Sequence, residues 1–178
     1  MFTHLMQIAS FKSGPQNFDT PNWVIVLFGT LFVVVYGFAL SLSPGNIAER
    51  MYVASFLKCL VIGSILYAWM RSIGLRKHFK STFLVLIFAM LLAEIVKLPL
   101  STMVRETKMD SDVVMGVIYS IPIWAIVVWN YLVWYYGIQQ ATARSKTEVL
   151  VVMVTVFMLS EVAGSVFSSV GVQLGGFD

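Results

Sequence analysis

The stretch STFLVLIFAMLLAEIVKLPL, residues 81–100, decides the fold of this chain. It is long enough to cross a lipid bilayer, because a spanning helix needs about 17–25 mostly apolar residues. It nevertheless contains Glu94 and Lys97, and it ends near Pro99. A charge at the centre of a spanning helix costs at least ~2.5 kcal/mol, so such residues usually face a protein interior. The stretch therefore predicts a membrane helix that packs among other helices.

Four further segments have the same length and composition, at about 23–42, 51–70, 113–138 and 148–172. Only 12% of the 178 residues are charged and 58% are hydrophobic, whereas a soluble domain is about 25% charged. Lipid must therefore be the solvent for much of the chain. These observations predict an all-α, polytopic integral membrane protein with five transmembrane helices over 23–172.

The distribution of Lys and Arg predicts an N-in, C-out orientation. With the N-terminus in the cytoplasm, seven of these residues lie inside and three outside: Lys12, Arg71, Arg76, Lys77, Lys80, Arg144 and Lys146 against Arg50, Arg105 and Lys108. Residues 1–22 then form a cytoplasmic segment, with a short interfacial helix at 2–11, and 173–178 form an exoplasmic tail. We expect anionic lipid headgroups to contact the basic connection, through Arg71, Arg76, Lys77 and Lys80.

Two more charges lie deep inside apolar segments, Lys58 in the second and Glu161 in the fifth. At ~1.5 Å rise per residue, Lys58, Glu94 and Glu161 lie about 18–20 Å from the cytoplasmic ends of their helices. Matching depth predicts a cross-helix charge cluster, with Lys97 as an outer member. One interpretation is structural: one Glu pairs with Lys58, and the other is protonated or pairs with Lys97. The others are a proton- or cation-handling site and a docking site for another membrane protein.

Small residues recur every four positions beside these charges. The second segment carries Ser55, Cys59 and Gly63, and the fifth carries Ser160, Gly164 and Ser168. Such stripes allow close helix approach in lipid. They predict that helices two and five are neighbours, with Lys58 and Glu161 near their contact.

Other chemistry has no pattern in the sequence. Both histidines, His4 and His78, lie outside the spans, so haem or binuclear metal ligation in the membrane is not expected. No motif of a hydrolase, a phosphate-binding loop or a nucleic-acid surface is present. We expect no catalytic residue, no metal, no cofactor and no nucleic acid.

Five spans with this orientation, over about 23–172, follow the turn-rich stretch Ser13-Gly14-Pro15-Gln16-Asn17-Phe18. On these features the chain resembles the Yip1-type family of small five-helix membrane proteins. The resemblance implies a non-enzymatic protein that works through membrane partners or copies of itself.

The sequence therefore favours an accessory, scaffold or assembly factor in a bacterial-type inner membrane. One alternative is a small oligomeric proton- or ion-coupled transporter that uses Glu161, Glu94 and Lys58. Another is a subunit of a larger energy-transducing complex.

Overall fold

The structure, a computed structural model, describes residues 20–42, 48–109 and 113–174, together with the single residues 7 and 15. The side chains at 105–113 and 167–174 lie outside this description. Five α-helices follow one another: α1 (Asn22–Ser41), α2 (Ala48–Ser72), α3 (Phe79–Met109), α4 (Val113–Thr142) and α5 (Lys146–Leu174). A short 3₁₀ helix (Arg76–His78) precedes α3. The described residues contain no strand, and all five helices are long and apolar enough to cross a membrane.

The helices follow the predicted segments closely, with one correction at α3. Pro99 does not end this helix, which continues to Met109. Proline removes one backbone hydrogen bond, but helices of apolar bundles tolerate this loss because neighbouring groups satisfy the freed carbonyl. Pro122 likewise lies inside α4. Of the predicted interfacial helix at 2–11 the structure describes only Gln7, which is helical, and the end of the tail, 175–178, lies outside the described residues.

The first half of α3 forms the core of the bundle. Every residue from 81 to 91 is buried, whereas exposed positions appear from Ile95 onward. A helix that is apolar on all sides must be surrounded by others. Leu66 of α2 and Ile138 of α4 are fully buried in the same apolar cluster, and Phe28 of α1 contacts Phe88 edge to face, with ring centroids 5.7 Å apart.

The helix contacts are uneven, and two pairs of consecutive helices, α2 with α3 and α4 with α5, touch over few residues. The extensive contacts are α3 with α4, α2 with α5, and α1 with both α2 and α3. By contrast, α4 and α5 touch over few residues, although only three residues connect them. The predicted proximity of helices two and five is therefore confirmed.

Helices α1 and α2 approach each other closely at Gly37. A Cβ built on Gly37 would lie 2.4 Å from the Tyr52 ring and 3.1 Å from the Tyr52 Cα. No side chain fits at that distance without backbone movement. This contact fixes the position of α1 against α2 at the residue next to Tyr36.

A glycine reverses the chain between α2 and α3. Gly74 has φ = +77°, in the left-handed region that favours glycine. Its N–H donates to the Arg71 carbonyl at 3.2 Å, and the Leu75 N–H donates to the Met70 carbonyl at 2.8 Å. This pair of bonds is the Schellman motif, which satisfies carbonyls at a helix end. Leu75 packs against the core that contains Met70, so the motif joins the turn to the packed half of the bundle.

We predict that Gly74→Ala lowers the free energy of unfolding by about 1–2 kcal/mol, because a Cβ disfavours left-handed backbone by that amount. Thermal unfolding in detergent, followed by circular dichroism, measures the change. Gly29→Ala is the matched control, since a Cβ at Gly29 meets no atom within 4 Å. An equal loss in both variants would contradict the prediction.

Candidate functional site

Lys58 is held by two partners inside the bundle. Its Nζ donates to the Tyr36 hydroxyl on α1 at 2.8 Å and to Glu161 Oε1 on α5 at 2.5 Å. A buried charge is tolerable only when it is paired and hydrogen-bonded. Three helices therefore meet at one ammonium group.

The two partners of this ion pair differ in exposure. The Lys58 side chain is 7% exposed, and that of Glu161 is 46% exposed. Lys58 is thus enclosed by protein, and Glu161 presents part of its carboxylate to the space beside it. A change in the protonation of Glu161 would leave Lys58 with its bond to Tyr36.

A second ion pair lies on α3. Lys97 Nζ donates to Glu94 Oε1 at 2.5 Å, at a spacing of three residues, and both side chains are mostly buried. The structural interpretation of the charges left two states open for the second carboxylate, protonated or paired with Lys97, and the structure has the pair with Lys97. Among the described residues these two pairs are separate, and no hydrogen bond or ion pair joins Glu94 to Lys58.

A cavity of about 240 Å³ connects the two pairs. All five helices contribute to its wall, which includes both ion pairs. Tyr131 contacts both Trp134 and Phe157 edge to face, with ring centroids 6.5 and 5.2 Å apart. These rings give the cavity aromatic walls across the small contact between α4 and α5.

A second cavity, of about 200 Å³, reaches the Lys58–Glu161 pair from another direction. It shares Tyr36 and the ion pair with the first cavity. Its remaining wall includes Leu40, near the end of α1, and Met51, near the start of α2. The ion pair therefore stands between two cavities.

The packing stripes behave differently from the prediction. Cys59 and Gly63 line an apolar groove of about 560 Å³ between α1 and α2, and a Cβ on Gly63 would lie 3.2 Å from Phe83 of α3. A Cβ on Gly164 would meet nothing within 4 Å. Neither glycine brings α2 and α5 together. The face of α2 that shares cavity walls with α5 instead includes Ala54 and Lys58.

The serines of these stripes have local roles. The buried Ser55 hydroxyl donates to the Met51 carbonyl at 2.6 Å, and that of Ser160 donates to the Phe157 carbonyl at 2.9 Å. Ser160 also lines the first cavity. The side chain of Ser168 lies outside the described residues.

Sequence reasoning missed four cavity residues whose uncharged side chains can form hydrogen bonds: Tyr36, Asn130, Tyr131 and Trp134. Aromatic residues near the ends of a span are typical of membrane interfaces. The sequence therefore does not distinguish an aromatic side chain at the interface from one that faces the inside of the bundle. The signal that was available is the spacing of Asn130 and Trp134, four positions apart on one face of α4.

The C-terminal end of α2 leads into the 71–80 connection, whose four Lys and Arg side chains are exposed. They are Arg71, Arg76, Lys77 and Lys80. The Arg76 guanidinium lies over the Tyr67 ring, 5.6 Å from its centroid. The described residues include no group of three or more His, Cys, Asp or Glu side chains that could hold a metal ion.

Comparisons of the chain with family models, curated proteins and solved structures found no match. They neither support nor exclude the resemblance to the Yip1-type family.

We predict that Lys58→Met and Glu161→Gln are coupled in a double-mutant cycle. Removing one partner leaves the other inside the bundle without its counter-charge, whereas removing both does not, so the coupling free energy is about 1–3 kcal/mol. Unfolding in detergent of the two single variants and the double variant gives this value.

The control cycle uses Arg144 and Glu148, an exposed pair at 3.9 Å. Its coupling is expected to stay below ~0.5 kcal/mol, as for exposed helix pairs. Equal coupling in the two cycles would show that the Lys58–Glu161 bond does not organise the bundle.

Proposed function

We propose that this chain is a five-span integral membrane protein of a bacterial-type inner membrane, with its N-terminus in the cytoplasm. Five helices of sufficient length and hydropathy support the span number. The exposed basic side chains of the 71–80 connection support the orientation, because cytoplasmic connections are enriched in Lys and Arg.

Within that membrane, we propose that the protein carries protons across the bilayer through Glu161, as a small proton-coupled transporter does. The observation that carries the proposal is the pair of cavities that approach Lys58–Glu161 from two directions. Ionisable residues inside a membrane mark proton relays and ion paths when they line such cavities. The sequence alone favours an accessory role, and the geometry gives the transport alternative the stronger support.

The difference in exposure assigns the roles in this proposal. Glu161 is the exchanging carboxylate, because it is the more exposed partner. Lys58 is the fixed positive charge that this carboxylate binds, and Tyr36 is the second hydrogen-bond partner of Lys58. Glu94 and Lys97 form a second charged wall.

Passage across the bundle requires a conformational change or an assembly of several copies. Residues 81–91 of α3 are packed on all sides at the half of the bundle nearer the basic connection. Secondary transporters typically alternate access around a site near the membrane midplane, using two structural repeats. Five helices are few for two repeats, so an oligomer is part of the proposal.

An accessory or assembly role, alone or within a larger membrane complex, is the second candidate. The outer face of α4 favours it: Trp124 is 68% exposed and Ile121 is 64% exposed. Lipid or the helices of a partner or a second copy would cover such a face in a membrane.

Glu161→Gln in reconstituted liposomes tests the transport proposal. We expect wild-type proteoliposomes with an imposed pH gradient to show a proton flux above that of empty liposomes. The flux of the variant should be at least about tenfold lower than that of the wild type, because a group that gives and takes protons typically contributes more than tenfold to a rate. An entrapped pH-sensitive dye reports the flux. Glu148→Gln is the matched control, because Glu148 lies on the same helix near its exposed start.

Absence of wild-type flux, or equal flux in wild type and Glu161→Gln, would overturn the transport proposal. The accessory role would then be supported if gentle-detergent purification recovers a membrane partner at fixed stoichiometry.

The orientation has its own test. In a Cys59→Ser background, which removes the one cysteine of the chain, we expect Glu49→Cys to react in intact cells with a membrane-impermeant maleimide. Lys77→Cys should react only after the membrane is opened. Both positions are exposed, so the reverse pattern would show an inverted orientation.

A further inference from the structure

Two polar atoms of α4 in the first cavity lack hydrogen-bond partners within the described part of the chain. They are the carboxamide oxygen of Asn130 and the indole Nε1 of Trp134. Trp134 is only 2% exposed. An unsatisfied buried polar group costs about 1–3 kcal/mol, so native proteins rarely leave one without a partner from water or a ligand.

The two groups are chemically complementary. The indole N–H is a donor only, and the carboxamide oxygen is an acceptor. Four residues separate them, so they share one face of α4. Both residues line the same cavity. A molecule that both accepts and donates a hydrogen bond would satisfy the two together.

The charges of the cavity exclude a simple ion as the best partner. Each lysine is already bonded to a carboxylate, Lys58 to Glu161 and Lys97 to Glu94. The wall therefore carries two positive and two negative charges, which balance. An added ion would have to break one of these pairs, whereas an uncharged molecule would not.

The size of the cavity and its aromatic wall narrow the class of molecule that could bind there. At about 240 Å³ the cavity is smaller than the 300–1,000 Å³ of typical drug-sized sites. Tyr131 and Phe157 supply aromatic walls against which a flat group can lie. A planar amide is flat and carries a donor beside an acceptor.

We propose that this cavity binds a small uncharged polar solute of the primary-amide class. The carbonyl oxygen of the solute accepts from Trp134 Nε1, and its N–H donates to Asn130. This inference rests on the proposed function, because Glu161 lines this cavity, and it names the class of solute.

The experiment uses the full chain in lipid nanodiscs, labelled with ¹⁵N at the tryptophan indoles, and follows the Trp134 N–H by NMR. Trp134→Phe identifies the resonance by its loss. Acetamide is the probe, and sodium acetate is the control because it has the same shape with a negative charge. The four other tryptophans, Trp23, Trp69, Trp124 and Trp129, report non-specific changes.

We expect acetamide to shift the Trp134 resonance with saturation at about 10 mM or below, within reach of a ligand this small. Acetate should bind at least about tenfold more weakly, because it has no N–H to donate to Asn130 and both lysines are already paired with carboxylates. Asn130→Leu should remove the saturable shift, and Trp124→Phe, which changes an exposed side chain of the same helix, should leave it unchanged.

A shift that rises linearly with acetamide in the wild-type protein would mean that water alone satisfies the two groups, and would overturn the inference. Equal binding of acetate and acetamide would also overturn it, in favour of an ion site. These wild-type titrations decide the question even if Asn130→Leu fails to fold. Saturable binding without proton flux would refute the transport proposal alone, and flux without saturable binding would refute this inference alone.

Discussion

The Lys58–Glu161 ion pair is the interaction on which the arrangement of the helices depends. It joins α2 to α5 through two residues that are 103 positions apart in the chain, and the Tyr36 hydroxyl adds α1. In a lipid environment apolar packing gives helices little reason to choose one apolar neighbour over another, so polar contacts and close backbone approach decide which helices meet. The pair places α2 beside α5, and Gly37 places α1 against α2.

This placement produces an uneven bundle. Near the basic connection, α3 is enclosed by apolar side chains and the Gly74 turn is joined to the same core. Beyond Met90 the helices diverge enough to leave two cavities around the charges. The charges need that space, because carboxylates and ammonium groups retain lone pairs and protons that packed hydrocarbon cannot satisfy.

Much of the fold follows from the sequence, and less of the site does. Hydropathy locates the five helices to within a few residues, except where α3 continues through Pro99. Equal depth and opposite charge predict the meeting of Lys58 with Glu161, because burial leaves an ion few partners. The uncharged wall of the cavity could not be predicted in this way. Tyr36 and Trp134 are uncharged aromatic residues, which occur both facing lipid and facing other helices, so the sequence does not show which way they face. Gly37 differs from Gly164 only in the residue of the facing helix. Whether a glycine lies at a close approach of two helices can be predicted only when the facing helix is known.

The division of the bundle into a packed half and a hollow half has a consequence for how its sequence can vary. Each helix contributes one segment to a dense core and another to a cavity wall, so stability and recognition are carried by different segments of the same helix. Substitutions around Asn130 or Phe157 can alter the shape of the first cavity, while the apolar core around Leu84 and Leu86 preserves the fold. The five-helix fold can therefore tolerate changes in the residues of the cavity walls, while the residues of the packed core keep the helices in place.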